Sequence, residues 1–270
     1  VAIVSGGNVH HLEFRRCVLA TGSRPVTLPG IAADDPRVVD STGALALTTL
    51  PDTMVVIGGG YIGVELGTAF AKLGTSVTIV ELTDRVLPTM EASLSQVVQR
   101  RLRQLGVEVL TETAVTGIDE DGVVVSTRDQ SLSAEVIVVA VGRRPNTDDL
   151  GLDIAGVTTD EQGLIPVNAN RLATRYIAAI GDITAGPALA HKATAEAGVA
   201  VAALHSEQYA VFDPAAMPEV VFSDPEVAQI GLTPSAAAAN SIDVTTFRFP
   251  FSAGSRSHTI GQTAGFVELV

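Results

Sequence analysis

One cysteine, Cys17, is all the chain contains. No internal disulfide can brace the fold, and the usage fits a reducing compartment. No apolar run approaches the roughly 20 residues needed to span a bilayer. The opening residues VAIVSGGNVHHLEF lack the basic start and apolar centre of a secretory signal, so a cytoplasmic location is expected. No Met stands at position 1, which reads as a chain that begins mid-protein. Lysine is nearly missing too: Lys72 and Lys192 are the only two among 17 basic residues. Set against 30 acidic residues they leave a formal charge of −13, which argues against nucleic acid or an anionic membrane as partner. An acid-rich, lysine-poor surface suits concentrated salt, where screening removes self-repulsion. Codon bias, which also raises alanine and arginine, is the alternative. No metal-ligand cluster, internal repeat or Ser/His/Asp set can be argued from the sequence.

What is present is a core. At 270 residues and 46% hydrophobic, the chain can hold two or three domains. Its organising stretch runs from Met54 to Glu81. Val55-Val56-Ile57 reads as a buried parallel strand. Gly58, Gly60 and Gly63 follow at G-x-G-x-x-G spacing, then a helix with Ile62, Leu66, Phe70 and Leu73 on one face. Gly74 closes it, and Val77–Val80 form a second apolar strand ending in Glu81. Gly58 permits the tight turn, Gly60 lets backbone approach a pyrophosphate, and Gly63 lets helix and strand pack closely. The helix N-terminus offers N–H groups and a positive dipole end to phosphates. With strand, helix and terminal acid all in place, the pattern predicts a dinucleotide site. A carboxylate at Glu81 accepts from ribose hydroxyls and repels a 2′-phosphate, so NAD is favoured over NADP.

Residues 1–22 read as a small β unit, with the strand 17–20 running into Thr21-Gly22-Ser23. Residues 26–53 read as connection, broken by Pro29-Gly30 and Pro51-Asp52. A helix is expected from Glu91 to Leu105, stopped by Gly106. Then come a strand over 107–110, a hairpin of 113–118 with 122–127 around Glu120-Asp121-Gly122, and a buried strand over 136–140. The nucleotide domain spans about 34–158. A strand over 177–180 ends in Gly181-Asp182, with a helix beginning near Pro187–Leu189. Asp182 either accepts from a ligand's hydroxyls or caps that helix. His191 reads as a packed or capping histidine, and Cys17 as a buried structural thiol. Strands are expected over 218–222, 245–251 and 266–269, and a short helix over 234–240.

Taken together, ATGSRP (20–25), VIGGGYIGVELG (56–67), VTIVELTDRVLP (77–88), VGRRPN (141–146), AIGDITAGPALAHKA (179–193) and FSDPEVAQIGLT (222–233) resemble the pyridine nucleotide–disulfide oxidoreductases. Within them the resemblance is nearest to the dihydrolipoamide dehydrogenases. It implies an α/β protein with two Rossmann-like nucleotide-binding domains, the NAD domain complete and the FAD domain partial, plus the start of an α+β interface domain. The implied divisions are 1–33 and 159–212 for FAD, 34–158 for NAD and 213–270 for the interface. It implies FAD and NAD as cofactors and a homodimer. The implied substrate is a dihydrolipoyl group, carried by a 2-oxo acid dehydrogenase complex or free as dihydrolipoamide.

Residue by residue, the resemblance places Thr21, Gly22 and Ser23 against FAD. It places Gly58, Gly59, Gly60, Tyr61, Ile62, Gly63 and Glu65 in the NAD loop and helix start, with Tyr61 shielding the flavin face until nicotinamide arrives and Glu65 pairing with a lysine from the FAD domain. Glu81 matches the ribose acid, Val115 and Gly142 backbone contacts to NAD, and Asp182 the flavin's ribityl contact. Ala188, Leu189, Ala190 and His191 match the helix start under the flavin ring. The family's initial G-x-G-x-x-G, its Cys-x4-Cys pair and its His-x4-Glu base are not in the sequence. The chain is therefore expected to be the middle of a longer enzyme, without catalytic residues of its own and inactive alone. A mercuric reductase or flavin-linked transhydrogenase of the same family is the nearer alternative. A non-catalytic NAD-binding protein is the more distant one.

Overall fold

A computed structural model describes residues 2–31, 35–118, 123–125, 130–205, 210–214 and 216–270. The chain divides into two compact units, 1–24 with 143–215 and 25–142 with 216–270.

The larger unit is built on a five-stranded parallel sheet, in the order Val38–Val39, Val136–Val139, Thr53–Ile57, Ser76–Val80, Glu108–Leu110. Side chains alternate between its faces, as pleating requires. Met54, Val56, Val77, Ile79 and Val138 pack against the helices Tyr61–Leu73 and Ala92–Gln104. Val55, Ile57, Val80, Ile137 and Val139 join the opposite core with Val115, Ile118 and Leu132. The strands read as near-continuous apolar runs because both faces are covered. On that second face Val115–Ile118 and Val123–Val125 pair antiparallel; the expected turn at Glu120-Asp121-Gly122 lies outside the described residues.

Gly74 ends the first helix in the left-handed region at φ 111°, as a C-terminal glycine should. The face of that helix differs from expectation. Leu73 is 66% exposed, while Gly63, Val64, Leu66, Gly67, Thr68 and Phe70 are buried. The wider small-residue stripe faces the sheet because Gly63 and Gly67 let the backbone come close. Residues 26–53 are not plain connection either. They contain the edge strand Val38–Val39 and a one-turn helix Ser41–Leu45, whose Asp40 side chain accepts from the Gly43 N–H.

Residues 216–270 pack onto the helical face of this unit. Val221 and Val227 enter its core. Glu65 accepts from the Phe222 N–H at 2.9 Å, and Ser235 donates to Glu91 through both backbone and hydroxyl. Asp224 lies 3.2 Å from Lys72 and 3.0 Å from Arg101. Hydrogen bonding from Arg101, above all, holds the Asp224 carboxyl below its ordinary value, with Lys72 adding to it.

In the smaller unit Cys17–Leu19 and Ile177–Ala179 pair in parallel. They rest on a cluster of Val157, Ile165, Ile177 and Ile183. Cys17 is half-buried at the edge of that cluster rather than fully buried. The helix after Asp182 begins later than expected, at Ala190, and runs to Leu204; Pro187 has no place in a helix interior. Among the described residues no helix is long and apolar enough to cross a membrane, and no cluster of metal-ligating side chains occurs.

Candidate functional site

At the carboxyl end of the larger unit's central strand, the glycine turn is made of backbone packed on backbone. The Gly58 N–H donates to the Val80 carbonyl at 2.8 Å, and Gly58 has φ 105°. A Cβ there would stand 2.5 Å from the Ala140 oxygen. A Cβ on Gly63 would stand 1.9 Å from the Gly58 oxygen. Neither position admits a side chain. At Gly60 the opposite holds: a Cβ would meet nothing within 4 Å. Its backbone borders open space at the helix N-terminus, which no side chain caps. Uncapped first-turn N–H groups beside an open backbone are what an anion such as a pyrophosphate needs.

Glu81 completes the turn. It is 7% exposed. One carboxylate oxygen accepts from the Gly59 N–H at 2.6 Å, and the other from the N–H and hydroxyl of Thr83 at 2.7 and 2.8 Å. A carboxylate can accept about four hydrogen bonds, so capacity remains for a further donor. Thr113 N–H reaches the Glu81 carbonyl at 3.0 Å, which brings the Val115 segment beside it. Ala140 N–H reaches the Ile57 carbonyl at 2.8 Å, which does the same for Gly142. Gly58 to Gly63, Glu81 and Gly142 thus lie at the carboxyl ends of neighbouring parallel strands, with the segment leading to Val115 beside Glu81. Tyr61, at the first helical position, is 42% exposed.

The smaller unit has a second strand-end cluster. Ser23 donates to the Asp182 carboxylate at 2.6 Å and accepts from Arg143 Nε at 2.7 Å, while Arg143 Nη2 donates to the Ser23 carbonyl. Thr21 and Asn146 exchange two hydrogen bonds, and Gly22 takes the left-handed conformation at φ 67° with open space where a Cβ would be. Asp182 therefore does not cap the following helix, whose N-cap is Leu189. Ala188, Leu189, Ala190 and His191 form that helix start, with Leu189 half-buried and the others exposed.

A family model described as pyridine nucleotide-disulphide oxidoreductase matches residues 2–197, and that family's dimerisation-domain model matches 217–270. The chain belongs to the pyridine nucleotide-disulphide oxidoreductase family. It is 44% identical over 277 residues to a dihydrolipoyl dehydrogenase of Geobacillus stearothermophilus, covering 100% of this chain and 58% of that protein. It is 40% identical to dihydrolipoyl dehydrogenase 3 of Haloarcula marismortui, covering 98% and 58%. Among solved structures it resembles LpdA of Mycobacterium tuberculosis, with a TM-score of 0.89, 27% identity and coverage of 99% and 59%. It also resembles the HOCl-induced flavoprotein disulfide reductase RclA of Escherichia coli, with a TM-score of 0.88, 28% identity and coverage of 96% and 61%. The chain spans 58% of the length of the first curated relative.

Within this family frame the structure adds residues that sequence reasoning missed. Thr83 orients Glu81, and its place two residues after the strand-end acid was the available signal. Arg143 and Asn146 hold Ser23 and Thr21; both lie in the VGRRPN stretch but were not assigned roles. Glu65 holds the Phe222 N–H.

Proposed function

We propose that this chain carries the NAD-binding domain and a flavin-binding segment of a flavoprotein that oxidises a dihydrolipoyl dithiol with NAD. The observation that carries the reading is the pairing of Glu81 with Gly59 beside the open backbone of Gly60. The residues fit the dinucleotide: the uncapped helix start faces the space a pyrophosphate would take, and the Glu81 carboxylate has capacity left for a ribose hydroxyl. They fit a flavin as well. Asp182 stands at a strand's carboxyl end with a second oxygen available, beside the open left-handed turn at Gly22.

When bound, the two cofactors supply the transfer of an electron pair as hydride, which no side chain here could supply. The chain's own work is to bind and orient. Gly60 and the helix start hold phosphate, and Glu81, pre-set by Thr83, selects a ribose with free hydroxyls. Ser23, held by Arg143, steadies the Asp182 carboxylate toward the flavin side chain. The dithiol substrate is supported by relatives named dihydrolipoyl dehydrogenase at 40–44% identity. A homodimer is supported by the dimerisation-domain match over 217–270. A lipoyl group borne on a 2-oxo acid dehydrogenase complex, and a cytoplasmic setting, extend the same reading.

The test uses the protein purified from its source in molar KCl. We expect a bound-flavin absorbance spectrum and dihydrolipoamide-dependent formation of NADH. A bound flavin without that turnover would move the protein to a family member with another substrate. A protein without flavin would overturn the reading.

A further inference from the structure

Lys192 and Glu196 are 2% and 0% exposed, and nothing in the proposed function uses them. Removing two charges from water is costly, and such a pair survives only where geometry and further hydrogen bonds satisfy it. Here the satisfaction converges on one turn. Lys192 Nζ donates to the Gly181 carbonyl at 2.9 Å and to Thr184 Oγ1 at 3.0 Å, with Glu196 at 3.4 Å. Glu196 accepts from the Gly181 N–H at 2.7 Å with one oxygen and from Arg171 at 3.0 Å with the other. Both backbone polar groups of Gly181 are thus held by side chains of the helix Ala190–Leu204. The turn has little slack elsewhere. Gly181 has φ 75°, and a Cβ on it would stand 3.3 Å from that of Ala193. The Lys192 stem passes within 3.1 Å of where a Gly186 Cβ would be.

The next residue in this turn is Asp182. We propose that Lys192 and Glu196 are positioning residues: their buried ion pair fixes the turn 181–183 so that the Asp182 carboxylate is aimed at the flavin's ribityl hydroxyls. The inference rests on the flavin reading above. A pair of apolar side chains could fill the same volume with equal or greater stability, but it could not hold one N–H and one C=O of the same glycine. The charges therefore serve the shape of the turn.

The test compares wild type with Lys192→Met and, should that variant fail to fold, Glu196→Gln. Amide hydrogen exchange at Gly181, measured against Ala200 in the protein from its source after its flavin is removed, reads the clamp alone. Flavin dissociation constants of the protein from its source, with the same substitutions, read its consequence. We expect Gly181 to exchange at least tenfold faster relative to Ala200 in Lys192→Met, and flavin affinity to fall at least tenfold. Glu196→Gln should show smaller changes in both, since its amide oxygen still accepts from Gly181. Unchanged exchange at Gly181 would overturn the clamp. Faster exchange with unchanged flavin affinity would overturn the positioning role alone. A wild type that carries no flavin would overturn the cofactor reading itself.

Discussion

Two turns lie at the carboxyl ends of parallel strands in this chain, and they are held in opposite ways. The turn at Gly58–Gly63 is made by leaving side chains out, with backbone against backbone. The turn at Gly181–Ile183 is gripped by buried charge reaching over from a helix. The first is intolerant of added atoms at Gly58 and Gly63 and is touched by a single buried charge, the Glu81 carboxylate at Gly59. The second depends on buried charge at Lys192 and Glu196, yet has few steric limits beyond Gly181 and Gly186. Two similar loops can therefore fail through different physics.

Charge loss should break the second turn most severely. Lys192→Met leaves Glu196 buried with only Arg171 as counter-charge, which should cost about 3–5 kcal/mol, read as a fall in the denaturation midpoint. If instead it costs less than Gly63→Ala, the contrast between the turns collapses. Gly63→Ala must push the helix off the Gly58 carbonyl, for an expected loss of roughly 3 kcal/mol. At Glu81 the effect falls on the ligand. Glu81→Ala should weaken NAD by about 1.5–3 kcal/mol, roughly ten- to 150-fold, and relax the choice against NADP. Titration calorimetry showing unchanged affinity for both would remove Glu81 from the site.

Smaller effects come from the surface. The Asp224 carboxyl is held below its ordinary 3.8, chiefly by hydrogen bonding from Arg101. Such a group contributes stability that is present above the unfolded value and is lost as pH falls through the lower, folded one. Asp224→Asn should therefore lower the melting temperature at pH 7 and flatten its decline below about pH 4. A decline as steep as wild type would show that Asp224 is not the group responsible. The mildest prediction concerns salt. Transfer from dilute buffer to molar KCl should raise the melting temperature if the −13 charge is an adaptation. Equal values would favour codon bias.

Legibility followed locality. The glycine turn could be read because each of its requirements falls within six residues of sequence, and Glu81 because strand ends have a fixed place in the pattern. The Ser23–Asp182 contact joins residues 159 positions apart, and Asp224 meets Arg101 across 123. No periodicity connects them. Lys192 and Glu196 were visible as an i,i+4 pair, but that spacing ordinarily marks a solvated helix face. Only burial reveals the difference. Leu73 was misplaced because an apolar side chain was weighed more heavily than the glycines opposite it. Ser41–Leu45 was missed because one turn is too short for a helical period to emerge, although Asp40 followed by Gly43 was a capping signal.

The scarcity of lysine in these residues, joined to the sealing of Lys192, has a practical consequence for amine labelling of this region. Within these 270 residues an amine-reactive dye or cross-linker meets one accessible lysine side chain, Lys72, which is 53% exposed. Conjugation there would neutralise one of the two cations beside Asp224, so the dye would report from, and slightly loosen, the place where residues 216–270 are fastened.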